Sequence, residues 1–349
     1  MNKLIIPTGY MGSGSSAITD LLSEIDGYDA DTGTFEYVFL HCPNGVFDLE
    51  DKLLIGNNAL RSDEALHSFR KTMKQLYDKK YWWVGHYNKN LSPRFMEYTE
   101  EYINSLIQFH PQFFWYYQEN ADFKMIIKLI FKRLVELVTF KKAKIKKPLL
   151  YEDLAFSYID EDQFYQKTKT YLNKLWGELG IENRNVILDQ LLLPFNLFRV
   201  HKYFDNEQAK VFVVERDPRD VFIINKYIWS KKGGFVPYPT DVNEFCECYK
   251  ALRKMEKPAS YSGIFRLNFE DLVYDYENTV LRILEFLDVK PSAHTKKFNN
   301  FNPKISIDNT QLFLANPEFL KEAKIIEKQL SEFLYNFPQE RKPDQNKTF

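Results

Sequence analysis

A loop rich in glycine and serine lies close to the beginning of the chain and has the composition of an anion-binding loop. The stretch "TGYMGSGSS" (8–16) follows an apolar run that predicts a buried strand at 3–7, and residues 14–25 are predicted to form a helix. Its glycines allow tight turns, and the helix N-terminus adds partial positive charge. Three residues supply hydroxyl donors: Ser13, Ser15 and Ser16. The pattern favours binding of phosphate or sulfate, and the alternative is an ordinary turn between a strand and a helix.

The same loop departs from the ATP-binding P-loop at one position. From Gly9 the spacing fits G-x-x-x-x-G-K-[ST], but Ser15 stands where that pattern has lysine. In ATP-binding proteins this lysine contacts the β- and γ-phosphates. Its absence argues against ordinary ATP hydrolysis or kinase chemistry, although a P-loop kinase with an altered loop stays an alternative.

A second candidate anion site follows a later apolar strand. The motif "ERDPRDV" (215–221) ends a strand predicted at 210–217 and carries Arg216 and Arg219 beside two aspartates. Guanidinium groups match the oxygen geometry of phosphate. The carboxyl ends of parallel strands meet at one edge of a sheet, where the first loop also lies. The sequence therefore predicts a two-ended anion site, and a pair of local Arg–Asp ion pairs is the alternative.

Together with a third motif, these stretches resemble the sulfotransferases that use 3′-phosphoadenosine 5′-phosphosulfate. The family's first motif is [K/R]-S-G-[T/S]-[T/S], and its last four residues match residues 13–16 of "GSGSS" (12–16). Its second, R-[D/N]-P-[R/K]-D-V, matches "ERDPRDV". Its third, an aromatic-E-D-L strand end before a helix ending F-L, matches "FRLNFEDLVYDYENTVLRILEFLDV" (265–289). The resemblance covers about 1–40 and 185–310. It implies an α/β, P-loop-like three-layer fold with a central parallel β-sheet.

The resemblance also implies a site for this donor or its product, 3′-phosphoadenosine 5′-phosphate, without a metal. Arg216 would hold the 3′-phosphate, helped by Asn225 or Arg219. The 5′ end would lie on loop residues, namely Tyr10, Met11, Gly12, Ser13, Gly14, Ser15 and Ser16. Two positions depart from the family: its basic loop residue falls on Gly12, and a serine of its second motif falls on Ile224. These departures leave open a catalytically silent nucleotide-binding relative.

Transfer of a sulfuryl group to a hydroxyl needs a base and a cation near the leaving phosphate. The context "FEYVFLH" resembles that of the glutamate base in carbohydrate-type members, which makes Glu36 the leading base and a carbohydrate the predicted acceptor. His201 in "FRVHKYF" resembles the histidine of small-molecule members, and His41 is a third candidate base. For the missing cation we predict Lys202, then Lys304 in "FNPKISIDNT".

The remaining patterns predict one α/β domain over 1–335. Strands at 185–189, 210–217 and 263–272 alternate with helices, as in a parallel sheet. Residues of about 60–180 have helical spacing and form a predicted insertion. The end of the chain, 336–349, is polar and expected to fray. The loop "KKGGFVPYPTD" (231–241) is expected to be a mobile lid or a plain surface loop.

Composition limits the possible partners and compartments. A formal net charge of −1 over 349 residues argues against nucleic-acid binding, and three cysteines make no disulfide framework. We expect a cytoplasmic protein without a transmembrane segment, and its oligomeric state stays open. The basic helix predicted at 123–147 either packs its apolar face on a core or makes peripheral contact with anionic lipid or an acidic glycan. The aromatic stretch 81–90 is either a sugar-stacking surface or core.

Overall fold

The computed structural model describes residues 3–29, 35–81, 84–111, 123–140, 142, 154–205, 208–233 and 236–344. The chain divides into two compact units. The first comprises residues 1–42, 76–95 and 172–349, and the second comprises 43–75 and 96–171. The candidate site lies in the first unit.

A five-stranded parallel sheet forms the centre of the first unit, in the order β2-β5-β1-β6-β7. The strands are β1 (Leu4–Gly9), β2 (Tyr28–Asp29), β3 (Lys80–Tyr81), β4 (Val84–Gly85), β5 (Asn185–Ile187), β6 (Ala209–Glu215) and β7 (Ile264–Asn268), of which β3 and β4 form a separate antiparallel pair. Gly9 is opposite Val214 in the register of β1 and β6. Because all five strands are parallel, their carboxyl ends form one edge.

Helices precede and follow these strands. Those described are α1 (Ser15–Leu22), α2 (Val46–Leu54), α3 (Ala59–Asp78), α4 (Tyr87–Asn90), α5 (Phe95–Leu106), α6 (Phe123–Val138), α7 (Glu161–Glu178), α8 (Val200–Tyr203), α9 (Pro218–Ile223), α10 (Val242–Lys254), α11 (Phe269–Tyr274), α12 (Tyr276–Leu287), α13 (Pro303–Ser306) and α14 (Pro317–Gln329). A π-helical turn at Ile224–Trp229 continues α9. The central parallel sheet with flanking helices confirms the predicted fold class.

The strands β1 and β6 are mostly buried and have apolar sequences. All of β1 is buried, and β6 carries Val211 to Val214 in succession, a run typical of a strand covered on both faces. Residues of α1, α11 and α12 pack with Ile5 and Phe212 in one continuous core, which includes Ile18, Leu272 and Ile283. This packing holds the carboxyl edge of β1 and β6 in a rigid frame.

The secondary structure predicted for two stretches differs from the structure. The strand predicted at 263–272 ends at Asn268, because Asn268 and Asp271 form a capping box that begins α11. At 28–49, short apolar groups mixed with Gly and Pro predict a strand and then a long loop, whereas the structure has the two-residue β2 and then α2, which begins at Val46. The capping box decided the first boundary, whereas α2 begins after Gly45 without a side-chain cap.

The described part of the polar tail is anchored rather than frayed. The Arg341 guanidinium pairs with Asp308 at 2.7 Å, and the Arg341 N–H donates to Gln311 at 3.1 Å. Ion pairing and a backbone hydrogen bond hold this segment, which hydropathy alone does not reveal. The predicted domain limits stay a prediction.

The second unit packs aromatic residues of α5 against α7. The rings of Tyr102 and Tyr171 stack with centroids 4.8 Å apart. Their hydroxyls are paired with Thr168 at 2.6 Å and with Thr99 at 3.1 Å. The stretch of about 60–180 for which helical spacing predicted an insertion contains the helices α3, α5, α6 and α7. Among the described residues, none of the helices has both the length and the apolarity that crossing a bilayer requires.

Candidate functional site

The glycine-serine loop folds back tightly against the end of β1. Gly12 and Gly14 have φ angles of +83° and +85°, a region that favours glycine. A Cβ on Gly14 would lie 3.1 Å from the ring of Phe269. The Ser13 N–H donates to the Tyr10 carbonyl at 2.8 Å, while the buried Ser13 Oγ has no hydrogen-bond partner among the residues that the structure describes. The loop thus presents an unused hydroxyl next to the N-terminus of α1.

Gln190, at the carboxyl end of β5, ties this loop to the neighbouring strand. Its Nε2 donates to Ser15 Oγ at 2.8 Å, and its Oε1 accepts from Thr8 Oγ1 at 3.2 Å. Its carbonyl lies 2.8 Å from His41 Nε2. Gln190 is not among the residues that the sequence motifs predicted, although its place directly after a predicted strand was a usable signal.

Arg216 joins three segments at the same edge. Its Nη1 donates to the Gly12 carbonyl at 3.3 Å, and its Nη2 donates to the Asn309 carbonyl. Its guanidinium lies 4.7 Å from the centroid of the Phe269 ring. The side chain is buried, and its Nε has no partner within the described ranges. The structure therefore brings Arg216, from the second predicted anion site, into contact with the glycine-serine loop of the first predicted site.

Buried carboxyl groups surround Arg216. Glu270 accepts the Asp217 N–H at 3.0 Å, and burial raises the pKa of Glu270 to about 8, although Arg216 opposes the shift. Asp220 accepts the N–H groups of Gln311 and Leu312, and burial raises the pKa of Asp220 to about 7. A protonated Glu270 leaves the positive charge of Arg216 less neutralised at neutral pH, which suits an incoming anion.

The raised pKa of Glu270 predicts a pH dependence of stability. The folded state binds this proton more tightly than the unfolded state, so the stability it contributes is lost as pH rises from about 4.5 toward 8. We expect Glu270→Gln to remove this loss, so that its free energy of unfolding falls less steeply with pH by on the order of 1 kcal/mol per pH unit. Urea unfolding at several pH values measures the slopes. The exposed Glu285→Gln variant is the control, and equal slopes for wild type and Glu270→Gln contradict the expectation.

Two residues assigned to the 3′-phosphate have other partners in the structure. The Arg219 guanidinium forms a paired contact with Asp217, with Nη2–Oδ2 at 2.7 Å, and lies over the ring of Phe313. The Asn225 amide nitrogen donates to the carbonyls of Tyr238 and Pro239 at 2.9 and 3.3 Å. Both hydrogens of the Asn225 amide are therefore used, and a phosphate could bind there only by displacing the loop.

The contacts of Asn225 also hold part of the predicted lid at 231–241. The Tyr238 N–H donates to Asn225 Oδ1 at 3.2 Å, and the Tyr238 ring is buried against Phe245. This half of the 231–241 loop is anchored on the π-helical turn rather than open to solvent. Residues 234 and 235 of the predicted lid lie outside the described residues.

The other residues predicted for the loop, the base and the cation lie at different places in the first unit. The Tyr10 ring is buried beneath the Arg253 guanidinium at 4.1 Å, and its hydroxyl donates to Glu256. Met11 and Ser16 are exposed at the loop surface. The remaining predicted residues lie outside the loop: His201 is exposed and Lys202 half-buried on α8, and Lys304 is exposed on α13.

Glu36, the first of the predicted candidate bases, lies beside Asp189, a carboxylate outside the predicted set. The Tyr37 N–H donates to the Asp189 carbonyl at 2.9 Å, which brings the two segments together. Burial, and then the charge of Glu36, raise the pKa of Asp189 to about 7. Burial lowers the pKa of the third candidate, His41. Asp189 immediately precedes Gln190, so this carboxylate pair is next in sequence to the residue that contacts Ser15.

The stretch at 81–90 supplies core rather than a sugar-stacking surface where it is described. Tyr87 is fully buried, its hydroxyl accepts the Val38 N–H at 2.9 Å, and its ring contacts Phe35 and Phe39. Tyr87 therefore supports the segment that carries Glu36. Residues 82 and 83 of the stretch lie outside the described residues.

The space beside Gly12 is occupied by neighbouring side chains. A Cβ on Gly12 would lie 3.3 Å from the indole of Trp229 and 3.5 Å from Val221. A lysine or arginine there would have a strained positive φ and would meet the Trp229 ring. The π-helical turn that carries Trp229 thus occupies the space into which a larger side chain at position 12 would extend.

The fold and the site define a class: an α/β protein whose central parallel sheet ends in a glycine-serine loop beside a buried arginine. In the described part of the chain, no group of three His, Cys, Asp or Glu side chains is arranged to hold a metal ion. The arrangement offers hydroxyl, amide and guanidinium donors to an anion at one edge, and a carboxylate pair near the same edge.

Comparisons with known proteins find similarity among solved structures. No protein-family model matches the chain, and no curated protein matches its sequence. The sulfotransferase domain of the curacin biosynthetic pathway aligns with 97% of this chain and 99% of its own length, at 14% identity and a TM-score of 0.40. The sulfotransferase domain of the Synechococcus PCC 7002 olefin synthase aligns with 97% of this chain and 95% of its own length, at 13% identity and a TM-score of 0.37. The sulfotransferase STF9 of Mycobacterium avium aligns with 98% of this chain and 78% of its own length, at 14% identity and a TM-score of 0.38.

Proposed function

We propose that this chain is a sulfotransferase that moves a sulfuryl group from 3′-phosphoadenosine 5′-phosphosulfate to a hydroxyl acceptor, with carbohydrates as the expected acceptor class. The observation that carries the proposal is the contact between the Arg216 guanidinium and the Gly12 carbonyl, Nη1–O 3.3 Å. Two sequence motifs more than 200 residues apart meet there, and each has the donor chemistry of an anion site.

The residues at this edge fit a donor with phosphate groups at both ends. The backbone amides of 12–16, the N-terminus of α1 and the Ser13 hydroxyl, which has no partner among the described residues, would hold the 5′ end. Arg216 has five N–H donors, and its two hydrogen bonds to carbonyls leave Nε and further Nη hydrogens for the 3′-phosphate. Arg219 and Asn225 act in this proposal by holding neighbouring segments rather than by touching phosphate.

The carboxylate pair Glu36 and Asp189 supports a role in activating the acceptor. As the acceptor oxygen bonds to sulfur, its proton passes to Glu36, and the bond between sulfur and the bridging oxygen of the 5′-phosphate breaks. Asp189 lies beside Glu36, and its pKa is raised to about 7. A change in the protonation of Asp189 near neutral pH therefore changes the electrostatic environment of Glu36. Lys202 is the proposed cation for the leaving phosphate, and Lys304 and His201 are the further candidates.

A catalytically silent nucleotide-binding protein is the second candidate function. The observation in its favour is Trp229, which lies where a basic side chain at position 12 would extend. This relative would bind the adenosine bisphosphate through the same loop and Arg216, without transferring sulfate. A P-loop kinase is the remaining alternative, and it requires ATP with Mg²⁺.

Calorimetry and a transfer assay separate these functions. We expect the full chain to bind adenosine 3′,5′-bisphosphate and to bind ATP with Mg²⁺ much more weakly. Tight ATP–Mg²⁺ binding without bisphosphate binding contradicts the sulfotransferase proposal. Incubation with ³⁵S-labelled donor and a mixture of glycans and small alcohols tests turnover: labelled product supports the enzyme, and bisphosphate binding without product across these acceptors supports the silent relative.

A further inference from the structure

Helix α6 in the second unit turns its apolar side to solvent. At 100° per residue, eight apolar residues fall on one face about 140° wide. They are Phe123, Ile126, Ile127, Ile130, Phe131, Leu134, Leu137 and Val138. Every one of them is exposed, from 42% for Ile126 to 77% for Val138. Surface helices of globular proteins normally bury this face, so α6 has the reverse orientation.

The opposite side of α6 is the less exposed one. Lys132, Val135 and Glu136 are half-buried, and Lys132 pairs with Glu136 at 3.4 Å. The side of the helix that carries Lys132 and Glu136 is therefore less exposed than the apolar side. The sequence alternative in which α6 packs its apolar face on a core does not describe this helix.

Basic residues border the exposed face on both sides. At 100° per residue, Lys124 lies next to Phe131 on one border, and Arg133 lies next to Ile126 on the other. Both are exposed. Lys128, which lies about 40° beyond Lys124 on the helix circumference, is exposed as well. Glu136 is the one acidic residue of the helix against four basic residues. An apolar strip with cationic borders matches a bilayer interface, where acyl chains meet anionic headgroups.

We propose that α6 binds peripherally to an anionic lipid bilayer, with its apolar face in the headgroup and acyl-chain boundary. A 16-residue helix is about 24 Å long and lies along the surface. Contact with a second copy of the chain through the same face would bring like-charged borders together, whereas anionic headgroups neutralise them. The proposal concerns the second unit and does not rest on the proposed transferase activity.

Vesicle flotation of the full-length protein tests this. We expect wild type to float with phosphatidylcholine vesicles that contain phosphatidylserine, and to float much less with phosphatidylcholine alone. Leu134→Glu, and independently Ile127→Glu, should weaken partitioning roughly 10- to 100-fold, because each removes a buried aliphatic side chain from the bound state. Combined Lys124→Gln and Lys128→Gln should weaken binding to the anionic vesicles about fivefold per lysine, and added salt should do the same.

Leu281→Glu is the matched control. Leu281 is an exposed leucine on α12, 51% accessible against 55% for Leu134, and its substitution should leave flotation unchanged. Circular dichroism checks that each variant is folded. Wild type that fails to float with the anionic vesicles overturns the proposal, as does a Leu134→Glu variant that floats like wild type. A dimer in sedimentation that Leu134→Glu dissociates, without vesicle binding by wild type, assigns the face to a second copy and also overturns it.

Discussion

Replacing Glu36 by glutamine is expected to lower turnover of sulfate transfer by about 100- to 10,000-fold, the contribution typical of a positioned general base. The glutamine has nearly the same size but cannot accept the acceptor proton. Binding of adenosine 3′,5′-bisphosphate should stay unchanged, because the groups assigned to the donor are the loop and Arg216. Single-turnover transfer assays and calorimetry on the same preparation measure the two quantities separately.

The pH profile tests whether the Asp189 carboxyl beside Glu36 is coupled to the transfer step. Since burial and the charge of Glu36 raise the pKa of Asp189 to about 7, we expect the acid limb of kcat/KM to have a midpoint near pH 7. Asp189→Asn should remove this titration and shift the limb to lower pH. The exposed Glu285→Gln variant is the control for both assays. Full turnover in Glu36→Gln would exclude Glu36 as the base and leave His201 as the next candidate.

Arg216→Lys is expected to weaken binding of adenosine 3′,5′-bisphosphate roughly 10- to 100-fold. Lysine keeps the charge but loses the planar fork, and a lost charge-assisted hydrogen bond costs about 1.5–3 kcal/mol. The substitution also removes the bridge between the carbonyls of Gly12 and Asn309, so the loop should become less stable. Calorimetry gives the affinity, and urea unfolding gives the accompanying loss of stability.

Two further variants make the Arg216 prediction decisive. Arg282→Lys is a matched control, because Arg282 also lies over a phenylalanine ring, that of Phe265, but on α12 and without a contact to the loop. Ser13→Ala removes a hydroxyl that has no partner among the described residues, so it should leave stability unchanged and weaken bisphosphate binding about 2- to 10-fold. Normal affinity in Arg216→Lys and in Ser13→Ala together would contradict the assignment of this edge to the donor.

Much of the fold follows from local sequence. The valines of β6, the apolar run of β1 and the helical periodicity of α3, α5, α6 and α7 predicted these elements because a buried strand and an amphipathic helix impose different spacings. The sequence also predicted that the glycine-serine loop and Arg216 share an edge, since parallel strands end on the same side. Periodicity missed the start of α11 at Phe269, which a capping box sets.

The sequence by itself determined the parallel sheet, the loop and the arginine, because those properties depend on residue type and spacing along one segment. Tertiary structure alone decided what each polar group bonds: Gln190 to Ser15, Asn225 to the backbone at Tyr238, and Arg219 to Asp217. It likewise decided that α6 exposes its apolar face, which the same amphipathic pattern would also allow to be buried. Hydrogen bonds and burial between distant segments depend on three-dimensional proximity, and no local spacing encodes them.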